Sequence, residues 1–364
     1  MQKIAVVCVT NDLSTDQRVH RTCMALQKSG YWVIEIGRLL PESLPLERPY
    51  FTLRKKLWFR KGFLFYAEFN IRLFLYLILK EVDLIFANDL DTLPAAFIVS
   101  KVRKKKLIFD AHELFPEVPE LIQRPIIKSF WSKIEYLIFP HLTHSVTVCK
   151  SISDYYKDKY NIQMAIVRNI PNYHNPLDIK PAISFPGKKI ILYQGALNKG
   201  RGLEMVLDAM PFIENAMLVI IGDGDIRQQL EKRTKRLKIK DKVHFVGRIS
   251  GDKLNEYTPA ASIGLCLLEN RGLNYYYSLP NRVFDYLQAG VPILASRFPE
   301  ITNIVETYKT GVLIEHYEPI CLANIIKNML ENPIDTSHFQ NVAKVLCWEN
   351  EEKILINVIN QVNN

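Results

Sequence analysis

Short apolar runs rich in β-branched residues alternate, over most of the chain, with longer stretches in which apolar positions return at helical spacing. Runs of the first kind suit strands buried on both faces, as in a parallel sheet, and stretches of the second kind suit the helices that cover it. Ile4 to Val9 predicts a central strand, Thr10 to Asp16 a polar turn, Gln17 to Ser29 a helix closed by Gly30, and Trp32 to Ile36 a second strand. Leu84 to Ala87, Leu107 to Phe109, Val146 to Cys149 and Ala165 to Val167 continue the series. Residues 175–188 are rich in proline and polar side chains, as a linker would be. A second series follows, with strands expected at Ile190 to Gln194, Leu218 to Ile221, Val243 to Val246, Ile263 to Leu268 and Val291 to Ala295. The pattern is that of an α/β chain made of two domains, residues 1–174 and 189–345.

Ligands of such sheets bind outside the carboxyl ends of the strands, so the polar residues that end each run are the candidate site. In the first half these are Asn11, Asp16 and Arg18, then Asn88 to Asp91, then Asp110, His112 and Glu113. Arg18 could meet a phosphate or an acceptor, or pair with Asp16. His112 has Asp110 and Glu113 as possible partners. The first turn lacks G-x-G-x-x-G, which disfavours a nicotinamide dehydrogenase, because backbone approaches a pyrophosphate there only through glycine.

In the second half, Gly195 to Gly202 form a glycine-rich turn in which Gly195 and Gly202 let the backbone bend near a ligand and Lys199 and Arg201 supply charge for a diphosphate. Gly222 and Gly247, the latter beside Arg248, follow the next two strands. In Asn274 to Ser296, Ser278 can cap a helix with Pro280 in its first turn, directing free amides near Ser278, Leu279, Pro280 and Asn281 toward a phosphate. Asp285 stands one turn later, and Gly290 ends the helix.

The chain has 364 residues, enough for two domains, with 48% hydrophobic and 23% charged residues, as in globular proteins. Its six cysteines are dispersed without metal-ligand spacing, so free thiols in a reducing cytoplasm are expected and no metal site is. Met1 to Lys3 lead into a strand rather than a signal peptide. The net charge of +9 gathers partly in Arg54 to Lys61, where cations mix with aromatics ahead of the apolar Phe63 to Leu79. Glu68, Asn70 and Arg72 argue against a spanning helix. A helix packed on the sheet and an element that meets anionic lipid at the inner face of a membrane both fit, whereas no nucleic-acid module accompanies the charge.

DYLQAGVP, from Asp285 to Pro292, resembles the donor-binding signature of the retaining glycosyltransferases of the GT-B fold. There two glutamates separated by seven residues flank the start of the helix; the second falls on Asp285 and the first on Tyr277. DAHELFPEVPEL, from Asp110, resembles the matching stretch of bacterial family-four members, where a histidine lies beside the transferred sugar. The resemblance implies two facing Rossmann-like domains with a cleft between them, and a last helix, here 348–362, that crosses back onto the first domain. It implies transfer of a sugar, with retention of configuration, from a nucleotide sugar (a UDP- or GDP-sugar) to a glycan or polyprenyl-linked acceptor, with no other cofactor. It places Asp285 at the ribose, Arg201 at the leaving diphosphate, Gly222 in a backbone turn, Gly247 and Arg248 at the base, and His112 at the sugar. Asn11, Asp16, Arg18 and Glu113 lie on the acceptor side. Ala196 stands where the family has an arginine, so a second cation is missing or comes from elsewhere, Lys199 and Arg282 being the alternatives. An epimerase or hydrolase of the same fold and a binding protein without turnover are the other readings.

Overall fold

The computed structural model describes residues 2–175, 180–315 and 318–363. Of the stretch read as a linker, 176–179 lie outside the described residues. The chain divides into two compact units, Met1–Asn169 with Glu349–Asn364, and Ile170–Trp348.

In the first unit seven strands pair in parallel: β1 (Ile4–Asp12), β2 (Trp32–Leu39), β3 (Phe51–Lys56), β4 (Leu84–Asn88), β5 (Lys106–Ala111), β6 (Ser145–Thr147) and β7 (Ala165–Ile166), in the order β3-β2-β1-β4-β5-β6-β7. In the second, β8 (Lys189–Gln194), β9 (Ala216–Ile221), β10 (Val243–Gly247), β11 (Ile263–Cys266), β12 (Ile293–Ser296) and β13 (Gly311–Ile314) pair in parallel as β10-β9-β8-β11-β12-β13. Both are Rossmann-like α/β sheets. β4 and β9 are buried along their whole length, which is why uninterrupted apolar runs encode them. In each sheet the winding reverses beside the first strand, between β1 and β4 and between β8 and β11, and ligands of such sheets bind at that point.

Two helices bear on function. Gly62–Leu79 has the length and apolarity of a membrane span. It is nevertheless the crossover between β3 and β4, and Phe65, Phe69, Leu73 and Leu77 are buried along one side of it. Trp348–Asn363 belongs, from Glu349 on, to the first unit, where Leu355, Val358, Ile359 and Val362 are buried. Its Glu351 takes Arg168 at 2.7 Å and its Glu352 takes Lys28 at 2.7 Å. Ile183 and Phe185, in the stretch read as a linker, pack on the core of the second unit.

Candidate active site

In the first unit the ends of β1, β4 and β5 bring together a chain of opposite charges. Arg18, 4% exposed, forks onto Asp110 with Nε at 3.0 Å from Oδ2 and NH2 at 2.7 Å from Oδ1, and donates through NH1 to the Val167 carbonyl. The His112 ring lies between two carboxylates, Nδ1 at 3.2 Å from Asp89 and Nε2 at 3.2 Å from Asp110, while Asn88 Oδ1 also faces Nε2 at 3.2 Å. The His112 amide donates to Asp89 as well, at 2.9 Å. Burial alone would lower the imidazole pKa, but the Asp89 and Asp110 charges outweigh it and hold it well above the usual 6.5. Burial would likewise raise Asp110, and Arg18 and His112 together keep it down at about 2. His112 is therefore an imidazolium whose two N–H groups are engaged inside the protein, and its positive charge is what it can offer a ligand. Asp89 holds a left-handed backbone at φ 59°, a costly conformation for a residue with a Cβ. Asp91, 5% exposed, accepts from Thr10 at 2.6 Å, and burial, reinforced by Asp89, pushes its carboxyl up to about 8.

One acceptor-side expectation needs correction. Arg18 pairs with Asp110 rather than Asp16, and its burial in that pair leaves it no face for an acceptor. Asp16 caps the helix Gln17–Lys28 through the Val19 amide and accepts from Asn11. Asn11 is exposed at the end of β1, and Glu113 is half-buried beyond β5.

In the second unit three glycine turns lock together at the ends of β8, β9 and β10. The Gly195 amide donates to the Ile221 carbonyl and the Gly222 amide to the Gly247 carbonyl. Gly222 has φ 133°, and a Cβ there would lie 2.0 Å from the Gly195 carbonyl oxygen, so only glycine fits. Gly202, at φ 72°, opens the helix Leu203–Ala209. The Arg201 guanidinium lies 4.8 Å over the Tyr275 ring, and its Nε is buried without a hydrogen-bond partner among the described residues. Lys199 and Arg248 are exposed.

The signature stretch differs from expectation in its helix start. Leu273–Tyr276 is a short helix of its own, and Ser278 closes it: both its amide and its hydroxyl donate to the Tyr275 carbonyl. Ser278 is thus no N-cap, and Ser278 to Asn281, with Leu279 and Pro280, form a half-buried to exposed connection before the helix Arg282–Gln288. The hydroxyl bonds back to its own preceding turn, a local competition that sequence spacing does not reveal. Asp285 is half-buried and accepts from Gln194 Nε2 at 2.9 Å, while Gln194 Oε1 accepts from Thr258. Gln194 was not singled out from sequence; as the polar end of the apolar run IILYQ it carried a usable signal. Tyr193 and Tyr275, which lie under guanidinium groups, carried none.

Residues 16–176 match the model of Glycosyltransferase Family 4, and residues 177–345 match that of Glycosyl transferases group 1. The chain belongs to the family-4-like glycosyltransferases of the GT-B fold. Among its relatives, a Campylobacter jejuni α-1,4-N-acetyl-D-galactosaminyltransferase that acts on an undecaprenol-linked glycan is 25% identical, over 73% of this chain and 70% of its own. This glycosyltransferase spans between 62% and 70% of the length of the first curated relatives it matches. Its fold is that of sucrose-phosphate synthase from Thermosynechococcus elongatus, with TM-score 0.80, 18% identity and 99% of both chains covered. It is also that of Anabaena HepE solved with UDP, with TM-score 0.65, 14% identity, 99% of this chain and 100% of the other.

Proposed function

We propose that this glycosyltransferase moves a sugar from a UDP- or GDP-sugar, bound by the second unit, to a glycan or polyprenyl-linked oligosaccharide held by the first. One observation carries the reading: three interlocked glycine turns, an Arg201 guanidinium whose Nε has no partner among the described residues and the Gln194-held Asp285 belong to the strand ends of a single sheet around its winding reversal. Glycine turns let backbone amides approach a diphosphate, a guanidinium neutralises it, and a carboxylate accepts from ribose hydroxyls. HepE bound to UDP and the undecaprenol-linked acceptor of the Campylobacter enzyme support the substrate classes. Front-face attack with retention accounts for the chemistry without a protein nucleophile. A hydrolase or epimerase would require a free base, and His112 has both ring nitrogens between carboxylates.

Melting of the purified chain against a panel of nucleotides and nucleotide sugars is the test, since a ligand of the native state raises the melting temperature by mass action. Stabilisation by one nucleoside diphosphate is expected; no shift with any of them would sink the reading. Once the donor is known, NMR of the product reads the anomeric configuration. Asp285→Ala is expected to weaken nucleotide binding by about 1.5–3 kcal/mol, the worth of a hydrogen bond to a charged group; calorimetric affinity equal to wild type would remove the ribose assignment.

The same reading puts the first unit on the inner face of a membrane. Trp58, Phe63, Leu64, Ile71, Leu75 and Leu79 are exposed along the helix Gly62–Leu79 and the turn before it. Of the neighbouring cations, Arg54 is tied to Asp12 at 3.1 Å and Arg72 lies 4.8 Å over the Trp58 ring. Arg60 and Lys61 are exposed. Sedimentation with vesicles should show binding that needs anionic lipid and is lost near 1 M salt, where the screening length falls to about 3 Å. Equal binding to neutral vesicles, or none, would contradict it.

A further inference from the structure

Arg282 is the buried charge that the fold leaves unexplained. It opens the helix Arg282–Gln288 and is 7% exposed. Its guanidinium lies 4.5 Å over the Tyr193 ring, and among the described residues NH1 has no hydrogen-bond partner. Among the described residues no carboxylate pairs with it. A buried cation without a counter-charge is costly, and the cost recurs in every molecule that has no anion bound there.

The surroundings say which anion. Gly195, exposed at the end of β8, lies against this guanidinium: a Cβ on it would be 3.3 Å from Arg282 NH2. Burial pushes the Cys266 thiol at the end of β11 up, and the charges of Arg282 and Arg201 both work against that rise. Two guanidiniums, each over a tyrosine ring and neither paired with an acid among the described residues, thus belong to one glycine turn, Arg201 within it and Arg282 against its Gly195. Lys199, the other candidate for the second cation, is exposed.

We propose that Arg282 is the second diphosphate-binding cation of this site, opposite Arg201, and that it takes the leaving-group charge for which Ala196 provides nothing. The assignment rests on the nucleoside-diphospho-sugar reading above. In the transfer the bond from C1 to the terminal phosphate oxygen breaks with its electron pair on that oxygen. The acceptor hydroxyl oxygen bonds to C1, and its proton passes to the departing diphosphate. Negative charge grows on the diphosphate as the bond lengthens, so a guanidinium already desolvated beside it stabilises the transition state more than the ground state. The same helix then serves two parts of one ligand, Arg282 the diphosphate and Asp285 the ribose.

The test uses Arg282→Met and Arg282→Lys in the full chain, titrated by calorimetry with UDP and GDP, their monophosphates and their nucleosides. Loss of at least tenfold in affinity for the diphosphate that wild type binds is expected in Arg282→Met. The matching nucleoside should bind within twofold of wild type, and kcat should fall about a hundredfold. Arg282→Lys should recover part of both. Without nucleotide, Arg282→Met should melt at or above the wild-type temperature, because it removes an uncompensated buried charge; a merely structural arginine would lower it. Equal losses for diphosphate and nucleoside, no loss at all, or a lowered ligand-free melting temperature would overturn the assignment of Arg282 alone. Wild type that binds no nucleoside diphosphate would overturn the donor reading and this assignment with it.

Discussion

Arg201→Ala should cut sugar transfer by about a hundredfold or more, the usual cost of removing a group aimed at charge that develops in the transition state. The side chain is placed for that task by its own loop. Gly200 and Gly202 have φ of 82° and 72°, and a Cβ on Gly202 would fall 2.7 Å from Leu267 Cβ, so the backbone around Arg201 follows a path open only to glycine. Tyr275 then holds the guanidinium from below at 4.8 Å. Its Nε is buried without a partner among the described residues, which leaves hydrogen-bonding capacity for a ligand. Single-turnover transfer compared with nucleotide affinity separates the two effects of the substitution: the rate should fall further than the affinity. Lys199→Ala, two residues away and exposed, should change the rate only a few-fold, as for other screened surface charges. A rate within threefold of wild type in Arg201→Ala would remove the arginine from the leaving-group role.

The two predictions rest on features that differ in how far sequence reveals them. Runs such as Leu84–Asn88 and Ala216–Ile221 are legible because every position is buried, and a strand covered on both faces of a parallel sheet is encoded by a short uninterrupted apolar run of this kind. β3, FTLRKK, is not, since it lies at the edge of its sheet and carries cations along its half-buried length. The loop glycines are legible as glycines, yet their interlock, Gly195 to Ile221 and Gly222 to Gly247, is a property of three strands in register. His112 could be placed at a strand end, but the Arg18–Asp110 pair that fixes its surroundings joins residues 92 positions apart. Arg282 is the hardest case. Arginine ordinarily reads as a solvated charge, and only packing shows it covered and stacked on Tyr193.

Folding stability should fall as pH rises from about 4.5 to 7, and Glu35→Gln should remove about 3 kcal/mol of that fall. Glu35 is wholly buried in β2. Burial raises its carboxyl from the ordinary 4.5 to about 7; Arg48 and Tyr50 pull it down, and the charge of Asp16 adds to the rise. Below 4.5 the carboxyl is protonated in both states and the full stability is present. Between 4.5 and 7 the unfolded chain releases its proton while the folded chain keeps it, so each pH unit costs about 1.4 kcal/mol. Above 7 both states are ionised and the loss stays constant. Asp91, pushed up to about 8, adds a fall of the same sign. His112, held above its usual value, contributes stability that is likewise lost as pH rises through its folded pKa. Asp110, held down at about 2, keeps its contribution throughout this range and loses it only in acid. Because several groups share the slope, the measurement is a difference: urea unfolding of wild type and Glu35→Gln at pH 5 and pH 8. Glutamine keeps the shape and cannot ionise, so wild type should lose about 3 kcal/mol more than the variant between the two values. Parallel losses would mean that Glu35 is ionised in the folded chain at neutral pH, and the buried middle of β2 would then hold a compensated charge rather than a neutral acid.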